Sequence, residues 1–302
     1  MWKHRNLLLA LALLAAGTGF AQATDDGKAA ESEQLKLAAL GALIASPDER
    51  ALPIVVKVIN GNNSDEVKSR ALFVLSQMDA PEARAQLLDV AQHGDERLRP
   101  EAVRMIGIGG DPEALASLAG LYASGDEALR HAVLGAYLIA GDSKSVYEIA
   151  ASAGSPKELE AAVSTLGAMG AQDELRKLRQ VAGVSDGLIQ ALAVSGDAAS
   201  LREIAADASD PDRQVRAITA LGIVGDDAGD ATLVDIYRST STDAVRRAAL
   251  QGLVVAGADE QILALYKASN DDSEKRRLLH ALGTTGSDLM LQVIDAALTQ
   301  DQ

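Results

Sequence analysis

The side chains that could perform chemistry in this sequence are few and far apart. Beyond the first residues the imidazoles are His93, His131 and His280, each followed by a glycine or alanine: Gly94, Ala132 and Ala281. A metal centre needs three or four such groups converging on one point, and three isolated imidazoles in distant segments do not supply it. Cysteine is absent, which removes thiolate nucleophiles, zinc–thiolate sites and disulfides together. No Gly-x-Ser-x-Gly elbow presents a serine, and no glycine-rich loop leads into a lysine that could cradle phosphate. Two polar runs, Asn60 to Asp65 and Asp226 to Asp230, have the composition of a calcium loop but not EF-hand spacing, and we read them as turn chemistry. No cofactor and no catalytic residue is therefore expected. What remains is recognition, and its candidates are Phe73, Arg104, His131, Gln190, Thr219, Arg247, Gln251, Arg276 and His280. Cations among them could hold carboxylates of an extended peptide or a partner protein through charge-assisted hydrogen bonds. The competing role for each arginine is an ion pair with an Asp or Glu of a neighbouring segment.

These candidates share positions in an internal repeat. Nine windows of equal length, laid over one another without gaps, begin at Glu31, Ser64, Asp95, Asp126, Ser155, Val181, Asp210, Thr242 and Asp271, and end at Ser46, Asp79, Gly110, Gly141, Gly170, Gly196, Gly225, Gly257 and Gly286. The period averages about 30 residues, in the range of helix-pair solenoids. Three columns are apolar in every copy. The fourth position before the end runs from Ala42 and Leu75 to Leu282, the seventh from Ala39 and Leu72 to Leu279, and the eighth from Ala38 and Ala71 to Leu278. Spacings of three and four put all three columns on one helical stripe, the side that must be buried. Ser64, Asp95, Asp126, Ser155, Asp210, Thr242 and Asp271 open their windows with side chains able to cap a helix, and seven windows close on glycine. A polar turn and a second amphipathic segment, such as Ala114 to Ser124, follow each stop. Each repeat is thus expected to be two helices.

Positions six and ten before each window's end lie opposite the buried stripe, and the candidate residues occupy them. Leu40 shares the sixth position with Phe73, and we expect both to seal the first repeats as a cap, with a small apolar partner contact as the other use. The window from Val181 to Gly196 lacks a polar opener and contains Gly183 and Gly187, which predicts a clipped helix and a local change of superhelical pitch. Gly225 to Asp230 reads as a small insertion.

The run from Asp210 to Asp226, Asp-Pro-Asp-Arg-Gln-Val-Arg-Ala-Ile-Thr-Ala-Leu-Gly-Ile-Val-Gly-Asp, resembles the HEAT repeat family in its short, bilin-lyase-type variety. Pieces of the same pattern recur at Asp243 to Ala249 and at Ala281 to Gly283. The resemblance covers nearly all of the chain after residue 30 and implies an all-α, α-α superhelix of about nine helix pairs. It also implies that the helices bearing the valine-arginine element line the concave groove. The same repeats occur in bilin lyases and in deoxyhypusine hydroxylase, where His-Glu pairs hold a di-iron centre. No histidine here precedes a glutamate. A lyase or oxidoreductase of that branch is the alternative, and a structural envelope protein a second one.

Residues 1–23 carry Lys3, His4 and Arg5, an apolar run of about ten residues from Leu7 to Ala16, and Ala21-Gln22-Ala23, the pattern of a cleaved signal peptide rather than the roughly 20-residue span of a membrane helix. Residues 24–30 read as a disordered leader and 31–302 as one solenoid domain, periplasmic or secreted, without membrane insertion after cleavage. The formal charge is −15, and removal of the signal takes away two cations and no acid. Such a balance opposes binding to phosphate backbones or anionic lipid, so nucleic acid is not an expected partner. Aromatic platforms for bases or sugars are scarce, with Phe73 and five tyrosines after the signal. A protein or peptide partner is the reading that remains.

Overall fold

The computed structural model describes residues 30–286 together with residues 289, 291, 293 and 295. Residues 1–23, read above as a signal peptide, and residues 24–29 of the expected leader lie outside the described residues, whereas Ala30, the last residue of that leader, opens the first helix. All regular structure among the described residues is α-helical, and the architecture is an α-α superhelix. None of these helices is long and apolar enough to cross a membrane.

The chain divides into two compact units, Met1–Ala140 and Gly141–Gln302. The first contains α1 over residues 30–43, α2 (Asp48–Ile59), α3 (Asp65–Ser76), α4 (Pro81–His93), α5 (Leu98–Gly109), α6 (Pro112–Ser124) and α7 (Glu127–Ala140). The second contains α8 (Ser143–Ala151), α9 (Pro156–Ala168), α10 (Gln172–Ala182), α11 (Asp186–Val194), α12 (Ala198–Ala206), α13 (Pro211–Val224), α14 (Asp227–Ser239), α15 (Asp243–Ala256), α16 (Asp259–Ala268) and α17 (Asp272–Thr285). Residues 289, 291, 293 and 295 are helical after it. Each odd-numbered helix falls inside one of the nine sequence windows, and each even-numbered helix is the second member of its pair.

The apolar columns form the core. From α3 to α17 every residue of the fourth and eighth columns is buried, as is every residue of the seventh except the half-buried Leu279. Tyr137, the one hydroxyl-bearing side chain in these columns, is buried with its hydroxyl donating to the Leu115 carbonyl at 3.2 Å. The first window departs from this register. Ala38, Ala39 and Ala42 are exposed on α1, whereas Leu40 is 3% exposed. Among the described residues α1 has only one neighbour in the row, and it turns its larger side chain inward because leucine removes more apolar surface from water than alanine.

Helix ends follow the sequence with two exceptions. Ser64, Asp126, Ser155, Asp210 and Asp271 each accept a first-turn amide, as Asp126 does from Leu129 at 2.8 Å. Thr242 makes no such bond, and α5 starts at Leu98 behind Arg97, leaving Asp95 to meet Lys68 at 3.9 Å instead. All seven window-closing glycines sit in the left-handed conformation, from Gly110 at φ 67° to Gly286 at φ 71°. The clipped α11 has 9 residues, yet it does have a polar opener: Ser185 accepts from the Leu188 amide at 3.2 Å. Gly225 to Asp230 is no insertion. Gly225 is the stop of α13, Asp226 caps α14 through the Gly229 amide at 2.9 Å, and Asp227 to Asp230 are its first turn. Burial, then the charges of Asp227 and Asp226, hold the Asp230 carboxyl above its ordinary value. In the other polar run Asn63 donates to the Val58 carbonyl and Ser64 caps α3.

Candidate partner-binding face

Within each unit the odd helices pack against one another more extensively than the even ones do. A row whose members lie closer together takes the inside of a curve, so the odd row forms the inner face of each unit. Three of its seams close to backbone contact. A Cβ placed on Gly107 would lie 2.7 Å from the Ala136 Cα across the α5–α7 seam. On Gly167 it would lie 2.9 Å from the Ala191 Cα across α9–α11, and on Gly222 it would lie 2.6 Å from the Gly252 Cα across α13–α15. In every case the third position before one window's end meets the fifth position of the next, and both residues are glycine or alanine.

At two other seams the same positions hold different residues. They are Ser76 and Met105 between α3 and α5, and Val254 and Ala281 between α15 and α17. Clefts lie at these seams. One of about 500 Å³ is lined by Leu37, Glu66, Ser69, Arg70, Phe73, Glu101, Arg104 and Met105. The other, about 440 Å³, lies between α15 and α17, with Val254 and Ala281 in its wall beside Asp243, Arg247, Leu250, Gln251, Arg277, His280 and Thr284.

The structure gathers some of the sequence candidates and leaves others apart. Arg247, Gln251 and His280 share the C-terminal cleft, and Phe73 and Arg104 share the N-terminal one. His131, Gln190, Thr219 and Arg276 are exposed on their own helices, outside both clefts. Phe73 is half-buried under the Arg70 guanidinium, 5.1 Å from its ring centroid, and presents no open platform. The Thr219 hydroxyl donates to the Val215 carbonyl, and Arg276 Nε donates to the Asp272 carbonyl of its own helix.

Arg277, which the sequence argument passed over, takes the place in the cleft expected of Arg276. Seven residues of helix return to within about 20° of the same direction, whereas eight overshoot by about 80°. Counting seven back from the second position before a window's end leads to Arg277, and counting eight leads to Arg276. That second position is itself the feature the sequence reading missed. It carries Ile44, Ile108, Ile139, Val194, Ile223 and Val255, all of them exposed. The column is visible in the aligned windows, but its aliphatic residues sit beside the buried stripe in sequence and pass for core.

Several arginines outside the candidate set hold neighbouring repeats together. Along the even row Arg84 reaches Asp111 at 3.2 Å, Arg176 reaches Asp197 at 2.9 Å and Arg202 reaches Asp226 at 3.0 Å. Each acceptor is the residue that caps the next even helix. On the odd row Arg97 meets Asp65 at 3.0 Å and Arg216 meets Asp186 at 2.6 Å. Arg104 pairs within its own helix with Glu101. Arg247, Arg276 and Arg277 take part in no ion pair among the described residues.

A protein family described as HEAT repeats matches residues 52–137 of this chain. Among solved structures, the chain is similar to the complex of CpcE and CpcF of phycocyanin lyase from Nostoc sp., at 17% identity and a TM-score of 0.33 over 76% of this chain and 93% of that one. It is also similar to human deoxyhypusine hydroxylase in complex with glycerol, at 18% identity and a TM-score of 0.36 over 87% of this chain and 93% of that one. No curated protein matches.

Proposed function

We propose that this protein is an exported scaffold, periplasmic or secreted, that holds another protein or a peptide segment of one against its odd-helix face. The repeats are read as the short, bilin-lyase-type variety of HEAT repeat on the run from Asp210 to Asp226. The observation that carries the reading is the state of the cations. In a chain of formal charge −15, Arg247 and Arg276 stand exposed on the inner row with no ion pair among the described residues, while the ladder arginines are paired. Solvated charges left unpaired beside a cleft are available to a ligand of opposite sign. Export rests on the leader pattern of residues 1–23, and the same net charge disfavours nucleic acid as the partner.

The test is affinity capture from an envelope fraction with the native chain and with an Arg104→Glu/Arg247→Glu/Arg276→Glu variant. The native chain is expected to retain a partner that the variant loses by about tenfold or more, because reversal replaces attraction by repulsion at several points. An unchanged set of captured proteins counts against the odd-helix face.

A further inference from the structure

The second unit places an aliphatic row and an unpaired cationic cleft along one side of consecutive odd helices. Val194 on α11, Ile223 on α13 and Val255 on α15 hold the same repeat position and are 64%, 66% and 54% exposed. Exposed aliphatic side chains recurring in register across three adjacent helices make a row of apolar points, the kind of exposed surface that marks an interaction site. The next residue in that column is Thr284 on α17, and Thr284 lines the α15–α17 cleft. The row therefore leads to the mouth of the cleft. Inside it stand Arg247, Arg277 and His280 against one carboxylate, Asp243.

We infer that this surface binds an extended segment of a partner protein that carries aliphatic side chains at every third residue and carboxylates beside them. The inference rests on the scaffold reading and names the chemistry of its ligand. Charge decides the sign of the partner. Among the described residues neither arginine of the cleft is ion-paired with Asp243 or with any other carboxylate, and a peptide aspartate or glutamate supplies a partner. Spacing decides the conformation. Packed helices stand about 8–10 Å apart, and an extended left-handed peptide advances about 9 Å in three residues, so every third side chain meets the next aliphatic residue of the row. Binding of this kind uses the dispersed aliphatic contacts for affinity and the arginines for orientation. A basic segment is rejected at Arg247 and Arg277.

The experiment uses the full mature chain and a short fluorescein-labelled peptide in which leucine and aspartate each recur at every third position, read by fluorescence anisotropy. Two companion peptides carry asparagine or lysine in place of aspartate. The aspartate peptide is expected to bind, the asparagine peptide about tenfold more weakly, and the lysine peptide not measurably. Arg247→Glu/Arg277→Glu is expected to weaken the aspartate peptide by about tenfold and to leave the asparagine peptide unchanged. The neutral pair Arg247→Gln/Arg277→Gln falls between. Val194→Ser/Ile223→Ser/Val255→Ser is expected to weaken both peptides alike. All these side chains are exposed, and circular dichroism confirms that each variant keeps its helices.

Equal binding of the aspartate and asparagine peptides, or no binding of the aspartate peptide at millimolar concentration, overturns the inference. So does an Arg247→Glu/Arg277→Glu variant that binds within about twofold of the native chain. If the captured partner is lost in the triple arginine variant while the peptides show no preference for aspartate, the scaffold reading stands and the acidic, aliphatic ligand falls.

Discussion

A Gly222→Val variant is expected to lose about 3 kcal/mol of stability in urea denaturation followed by far-ultraviolet circular dichroism. At this position the first side-chain carbon would lie 2.6 Å from the Gly252 Cα and 2.7 Å from its carbonyl oxygen. Both obstacles are backbone, so neither can rotate aside. α13 and α15 must separate, and their separation withdraws Ile218, Leu221 and Leu253 from the contacts that bury them. A second glycine supplies the contrast. Gly120 lies on an exposed part of α6, and an added Cβ there meets nothing within 4 Å. Gly120→Ala is expected to stabilise the chain by about 0.5–1 kcal/mol, since alanine gives up less backbone freedom on folding than glycine. Opposite signs for two glycine substitutions follow from the seam alone, and a Gly222→Val loss smaller than that of an ordinary surface change would refute the tight-seam description.

The other large effect is expected at Asp197. This carboxylate is 1% exposed, caps α12 through the Ser200 amide at 3.2 Å, and accepts the Ser200 hydroxyl at 2.7 Å. It also receives two guanidinium bonds from Arg176, at 2.9 and 3.0 Å. Asp197→Ala removes a helix cap and the acceptor of a fork in one step, and a loss of about 3 kcal/mol is expected, moderated because Arg176 is itself partly exposed and can turn to water. Burial by itself would raise the Asp197 carboxyl, but the hydrogen bonds from Arg176 and Ser200 overcome it and hold the group below its ordinary value. The sign of the pH dependence follows. A carboxyl depressed in the folded state contributes its full stability above the unfolded value of about 3.9 and loses it as pH falls through the lower folded value. Urea midpoints of the native chain are therefore expected to fall more steeply below about pH 4 than those of Asp197→Asn. Parallel acid profiles would remove Asp197 from the account.

Much of the architecture was legible because it is written as periodicity. A buried helix stripe needs apolar residues at spacings of three and four in every repeat, so the columns through Leu75, Leu221 and Leu282 could be read directly. Glycine stops such as Gly225 were legible for the same reason. The first window was misread because the register was set by the eight copies behind it, whereas α1 buries Leu40 according to its own single-sided contacts. The backbone contact at the tight seams was out of reach, since it depends on which residue of one helix faces which residue of the next. Gly222 looks like part of a motif in sequence, and only the facing Gly252 makes it a point of backbone contact. At the candidate face, cations were identified by type and approximate side, but an offset of one residue separates Arg276 from the cleft that Arg277 lines. The aliphatic row through Ile223 went unread because exposure, not residue type, distinguishes it from core.

The claim on which the functional account depends is that a partner lies on the odd row. Site-specific photo-cross-linking tests it most directly, with a benzophenone amino acid placed singly at Ile223 or Gln251 on odd helices and at Ser117 or Glu260 on even ones, all of them exposed. After expression in the native envelope and irradiation, adducts to another polypeptide are expected from Ile223 and Gln251 and not from Ser117 or Glu260. Adducts from the even helices with none from Ile223 or Gln251 would contradict it.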